Sequence, residues 1–159
     1  MQEHVCARCG AYILLFPVEN VGFIEPVPAQ ARFTARQRDH KALELVIDLR
    51  RLLGIAAPAP IERCAMLKWR STDGTRQATL LIDAVEEIVN CQSGDLVEIP
   101  FFPARLRPLC DKVMRDPRGG LRLRVRPDAI LNMILPEDRR LLAGALLTRE
   151  SAPAGEVVP

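Results

Sequence analysis

The sequence predicts a mainly β protein made of short strands and turns, the pattern of a small barrel or sandwich. Stretches of alternating apolar and polar residues carry the two-residue period of a strand. Turn residues such as Cys9-Gly10, Asp73-Gly74 and Gly94-Asp95 separate them at short intervals. One segment, Leu43–Gly54, switches from the period of a strand to that of a helix within a few residues.

In order, Val5–Arg8 and Tyr12–Val18 flank Cys9-Gly10 as a tight hairpin. Asn20–Pro26 continues after a turn, with Val21 and Phe23 on one side and Ile24 offset toward the other. Residues 27–40, rich in Pro, Ala, Gln and Arg, read as a loop or a frayed turn. Leu43, Leu45 and Ile47 then alternate with Glu44 and Val46 up to Asp48. The Asp48 carboxylate is placed to cap a helical first turn. Leu49, Leu52 and Leu53 form the apolar face of that short helix, and Gly54 ends it. Ile55–Pro60, with two prolines, is a linker.

Cys64–Arg70 and Arg76–Asp83 form a second hairpin, and Ala84–Asn90 is a further strand. Leu96–Ile99 is a short one, followed by an irregular passage marked by Pro100, Pro103 and Pro108. Leu121, Leu123 and Val125 alternate strictly with Arg122, Arg124 and Arg126, so Arg122 and Arg124 are expected to face solvent and Leu123 and Val125 the core. Asp128 is expected to cap a short helix with Ile130, Leu131 and Ile134 inward. Pro136 starts a C-terminal helix with Leu141, Leu142, Ala145 and Leu146 as its stripe. Residues 151–159 lack periodicity and read as a disordered tail, leaving 1–150 as the domain.

Composition narrows the function classes. The 159 residues are 48% hydrophobic and 26% charged with a net charge of +2, which is globular and exerts no strong overall pull on nucleic acid or anionic membrane. No apolar run is long enough to span a bilayer. The N-terminus carries Glu3 and His4 rather than a signal peptide, so a cytoplasmic protein without membrane insertion is expected. The five cysteines read as buried small residues in a reducing compartment. Cys6-Ala-Arg-Cys9-Gly10 has the outline of a zinc knuckle but lacks a second ligand pair, so no metal and no cofactor are expected. With two histidines, no phosphate loop and no dinucleotide fingerprint, the chain does not read as an enzyme. The main rival function is nucleic-acid binding through the locally basic region 105–126, which lacks interleaved aromatics for base stacking.

Five segments, taken in order, resemble the CheW-like domain, an adaptor module of bacterial chemosensory arrays. They are the opening hairpin Val5–Phe16, Phe16–Ile24, the Ile47-Asp48-Leu49-Arg50 signature, Leu80–Val89 around Asp83, and Leu123–Ile134. The resemblance spans about Val5–Leu147. It implies two SH3-like small β-barrel lobes with short helices and a C-terminal helix. It also implies a non-catalytic adaptor that couples a CheA-type histidine kinase to the signalling domain of chemoreceptors. The apolar edge at Val21, Ile24 and Leu45 would dock the partner, with Lys41 and Arg50 as flanking polar anchors. Two departures stand out. The family's Asn-Leu-Arg-Gly loop is replaced by His40-Lys41-Ala42, and Phe23 stands where the family has Glu.

Lysine offers a flexible point charge where arginine offers a planar fork, and Ala42 cannot take a positive φ as glycine can. The double substitution Lys41→Arg, Ala42→Gly is therefore expected to strengthen binding to a chemoreceptor tip by about 1 kcal/mol. Titration calorimetry checks it, and an unchanged or lower affinity would mean that the loop serves another partner.

Overall fold

A Gly10 φ of +60° lets the chain reverse after β1 (Gln2–Cys9) and return as β2 (Tyr12–Pro17), pairing Cys9 with Tyr12 and His4 with Pro17. The computed structural model describes residues 1–29, 32–35, 45–99, 102–132 and 146–150. A 3-10 turn at Val18–Asn20 leads into β3 (Val21–Pro26), and β4 (Arg32–Ala35) and β5 (Leu45–Asp48) follow. α1 (Leu49–Leu52) leads to β6 (Ala65–Arg70), β7 (Gln77–Ile82) and β8 (Ala84–Cys91). β9 (Cys110–Arg115), β10 (Leu121–Val125), α2 (Ala129–Asn132) and β11 (Leu146–Glu150) complete the described elements.

The strands form two mixed sheets, a five-stranded one in the order β8-β1-β2-β10-β9 and a six-stranded one in the order β3-β6-β7-β5-β11-β4. The β10–β2 and β5–β7 pairs are parallel, and the other pairs are antiparallel. The mainly β class read from the sequence is what the chain adopts.

Each sheet has buried residues on both of its faces. Val5, Ala7, Leu14, Phe16, Leu123 and Val125 of the first sheet meet Ile47, Leu67, Trp69, Leu80 and Ile82 of the second in one shared core. Behind the first sheet, Cys6, Leu15 and Cys91 form a smaller cluster with Ile13, Val89, Leu96 and Met114 around them. Behind the second, Val27, Val46, Cys64, Met66 and Leu81 form another. Trp69 sits at the centre of the shared core, edge-on to Phe16 with ring centroids 5.3 Å apart. Its indole N–H donates to the Pro127 carbonyl at 2.8 Å. Beside it the Asp128 carboxylate accepts the Thr72 N–H at 2.9 Å, and Arg76 donates to the Asn132 side chain at 2.8 Å. The β6–β7 hairpin thus clasps the turn that follows β10.

The structure corrects several expectations. Arg122 is only 4% exposed and Arg124 is partly buried, because their register partners are Ile13 and Leu15, which face the inner cluster of the first sheet. Strict alternation marked two environments, and both proved internal. The stretch 27–40, expected as a loop, contributes strand β4, and Leu146, expected on a helical stripe, begins strand β11. These two strands pair with each other and β11 also pairs with β5, so tertiary pairing overrides local pattern. β9 was hidden because Asp111 and Lys112 break its alternation just after Pro108. Ile134, the helix expected from Pro136 to Ala145, and the tail 151–159 lie outside the described residues.

His4 is fully buried on β1; its Nδ1 lies 3.3 Å from the Gln2 carbonyl, and its Nε2 has no hydrogen-bond partner among the described residues. Burial holds its pKa below the ordinary histidine value. A folded-state pKa below the unfolded one gives stability that is intact above pH ~6.5 and lost as pH falls through that range, where the unfolded chain alone takes up the proton. Urea midpoints are expected to drop between pH 7 and 5, above the titration of ordinary carboxylates, and to flatten in His4→Phe. An equally steep profile in that variant would assign the loss elsewhere.

Candidate functional site

β5 ends on Asp48, which is fully buried and caps α1. Its Oδ1 accepts the Arg50 N–H at 3.2 Å and the Arg50 Nε–H at 2.9 Å, while its Oδ2 accepts from Nη2 at 3.0 Å. The guanidinium therefore lies in a two-pronged grip, only 1% exposed. Its remaining nitrogen, Nη1, donates to the Ala59 carbonyl and lies 3.7 Å from Asp83 Oδ1. Burial opposes the Arg50 charge, but the Asp48 hydrogen bond and charge outweigh it, and its pKa is raised.

Asp83 is the single residue between β7 of one sheet and β8 of the other. Its N–H donates to the Arg8 carbonyl at 3.0 Å, and its Oδ2 accepts the Gly10 N–H at 2.6 Å. Asp83 thus ties the β1–β2 turn of the first sheet to the Asp48–Arg50 pair of the second. In the sequence Asp83 entered only as part of a matched motif. Its signal was an acid placed directly between two apolar runs.

The residues expected to dock a partner divide. Val21 and Ile24 lie on β3, the end strand of its sheet, which among the described residues pairs only with β6. Val21 pairs with Trp69 and packs half-buried on the core, while Ile24 is 38% exposed and Phe23 45%. Lys68 Nζ sits 5.9 Å from the Phe23 ring centroid. Phe23, more exposed than Ile24 beside it, was not in the expected set. Leu45 lies on β5, with β6 and β7 between it and β3. Lys41 lies outside the described residues. Arg50 is not an exposed anchor: Asp48, two residues earlier, captures it inside the fold.

In the basic region 105–126, Arg107, Arg122 and Arg124 are taken up by internal partners. Arg122 donates to Glu87 at 2.8 Å and lies 3.4 Å from Asp116, and Arg124 grips both oxygens of Asp111 at 3.0 and 2.6 Å. The hydrogen bond to Asp111 raises the Arg124 pKa. Arg107 donates to the Phe102 carbonyl at 3.0 Å. The strand that was to follow a phosphate backbone therefore does not present a row of free guanidinium groups.

Cys6 and Cys9 fall in different clusters on opposite faces of β1, so they cannot share a metal. Among the described residues no group of three or more His, Cys, Asp or Glu side chains is placed to hold one. Burial pushes the Cys64 thiol up to about 11 and the Cys110 thiol up to about 12, which leaves both protonated and unreactive at neutral pH.

A cavity of about 750 Å³ opens beside Asp83, between the β1–β2 turn, the end of α1 and the linker after it. Arg8, Arg63 and Arg105 line it. Arg105 lies so close over Gly54, at φ +69°, that a Cβ there would fall 2.0 Å from Nη1. In the cavity wall Ala57 holds a φ of +46°, a left-handed conformation that costs a non-glycine residue about 1–2 kcal/mol.

No protein-family model and no curated protein matches the chain. Among solved structures it is similar to the scaffolding protein TtCheW from Thermoanaerobacter tengcongensis, with a TM-score of 0.63 and 12% identity over 79% of this chain and 88% of that one. The fold is CheW-like. The two SH3-like lobes implied by the sequence correspond to the two sheets, and the Asp-Leu-Arg signature closes the space between them. Among the described residues no helix is long and apolar enough to cross a membrane.

Removing one partner of a buried charge pair strands the other, at a cost of about 3–5 kcal/mol. Arg50→Ala is expected to lose that much in urea unfolding, and Arg50→Lys most of it, because an ammonium cannot fill the fork. A loss under 1 kcal/mol in Arg50→Ala would show that the pair is dispensable.

Proposed function

We propose that the chain is a non-catalytic chemosensory scaffold that couples a CheA-type histidine kinase to the signalling domain of chemoreceptors through protein–protein contacts. The observation that carries this reading is the CheW-like fold, shared with a protein described as a scaffold, in a chain whose buried acids and arginines serve the fold. Its action is cytoplasmic, within a domain of residues 1–150, and needs no cofactor.

The docking surface proposed is the β3 edge. An end strand has one row of unpaired backbone groups, and here it also exposes Phe23 and Ile24 beside the half-buried Val21. Lys41 and Leu45 stay in the proposal as separate contacts, since Leu45 lies on β5, two strands away from the β3 edge. Arg50, held by Asp48 and Ala59 and close to Asp83, serves the fold and is not part of the proposed surface.

Exposed apolar anchors at a docked edge cost about 2 kcal/mol or more when removed. Ile24→Asp and Phe23→Ala are expected to weaken capture of the kinase or the receptor tip by at least that amount in biolayer interferometry, with the unfolding midpoint unchanged. Wild-type binding to neither partner would overturn the scaffold reading. Binding that survives both substitutions would move the docking surface away from β3.

A further inference from the structure

We propose that the cavity beside Asp83 binds a small organic anion, a carboxylate or phosphate carried on an apolar body. This goes beyond the scaffold reading, and the cavity shares no residue with the β3 edge. Three observations converge on it.

The first is size. At about 750 Å³ the space falls within the range of small-molecule pockets, ~300–1,000 Å³. The second is charge. Arg8, Arg63 and Arg105 outnumber the one carboxylate of the lining, Asp83, whose Oδ2 accepts the Gly10 N–H and whose Oδ1 lies 3.7 Å from the Arg50 guanidinium without a hydrogen bond. Arg8 lies 3.6 Å from Glu86, and Arg105 reaches the Gly54 carbonyl at 3.5 Å, so each retains donors of its five for a ligand. Arg105 also covers the carbonyl end of α1, which would otherwise repel an anion.

The third is the wall. Ile55, Ala56 and Pro58 supply an apolar surface, and Ala57 within it is held in left-handed backbone. Such strain persists where the surrounding structure enforces a particular shape, and it clusters at ligand sites. The cavity draws on both sheets, Arg8 from β1 and Arg63 from the turn before β6. A bound anion would therefore bridge the two lobes.

The test titrates the full chain with phenylacetate, phenyl phosphate and inorganic phosphate at constant ionic strength, followed by calorimetry and by backbone amide NMR shifts. Expected is saturable binding of phenylacetate or phenyl phosphate with Kd below about 1 mM, with shifts centred on residues 8–12 and 53–59. Arg63→Glu is expected to weaken it at least tenfold with an unchanged unfolding midpoint, while Arg115→Glu, an exposed arginine outside the cavity, leaves it intact. Whether phenylacetate or phenyl phosphate, each an anion on the same ring, binds more tightly distinguishes carboxylate from phosphate. The proposal is overturned if no probe saturates, or if Arg115→Glu weakens binding as much as Arg63→Glu does. It is equally overturned if a hexaglutamate peptide saturates the cavity while the small anions do not, since the space is then a docking groove for an acidic protein segment.

Discussion

One carboxylate between two strands governs how the lobes are joined. Asp83 is where the chain leaves the second sheet and enters the first, so any freedom in its orientation would become freedom between the sheets. The Gly10 N–H holds one oxygen, and Arg50, itself fixed by Asp48, approaches the other. In a low-dielectric interior such charge-assisted bonds are directional and costly to leave half-made. The apolar core supplies most of the cohesion but is not directional. The knot of Asp48, Arg50 and Asp83 adds the geometry. The hairpin clasp around Trp69, Pro127, Thr72 and Asp128 does the same at a second point.

The layering explains where the arginines went. A sheet covered on one face would have left Arg122 and Arg124 in water. Each lobe here has its own small interior as well as its share of the central core, so every strand near the middle has two buried faces. An arginine on the inner face must then bring its own counter-ion, and Asp111, Asp116 and Glu87 are placed for that. A basic stretch of sequence can therefore be an internal lattice of ion pairs rather than a nucleic-acid surface. Burial of these pairs is weak evidence for added stability, since desolvation offsets much of their attraction. Their consequence is register: a one-residue slip of β10 would put two guanidinium groups into the shared core.

Much of the architecture was legible because its signals were local. Alternation marked β6 and β10, turn residues marked the β1–β2 and β6–β7 hairpins, and the strand-to-helix switch at Asp48 appears with the cap in place. β4 and β11 were not legible, because each becomes a strand only through pairing with residues more than a hundred positions away. β9 lost its pattern to the ion pair of Asp111 with Arg124. The candidate site was legible in part. Val21 and Ile24 fall on an open edge, whereas Arg50 was misplaced because a sequence does not show that a neighbouring acid will turn its guanidinium inward. Phe23 was noticed as a departure and not as a surface.

At 12% identity to TtCheW the fold persists while nearly every residue differs, which constrains where function can reside. A core tolerates wide substitution if volume and pattern are kept. A buried fork such as Asp48–Arg50 does not, because its geometry suits only those groups. What divergence leaves free is the surface: the edge of β3, with an aromatic where an acid stood in the resembled motif, and the arginine-lined cavity on the opposite end of the signature helix from its Asp48 cap. An acid replaced by Phe23 exchanges a charge that demands a matching cation for an apolar ring that demands burial. On the proposed docking edge, a partner surface suited to the acid would leave that ring in water, so a partner for this edge would have to offer an apolar pocket.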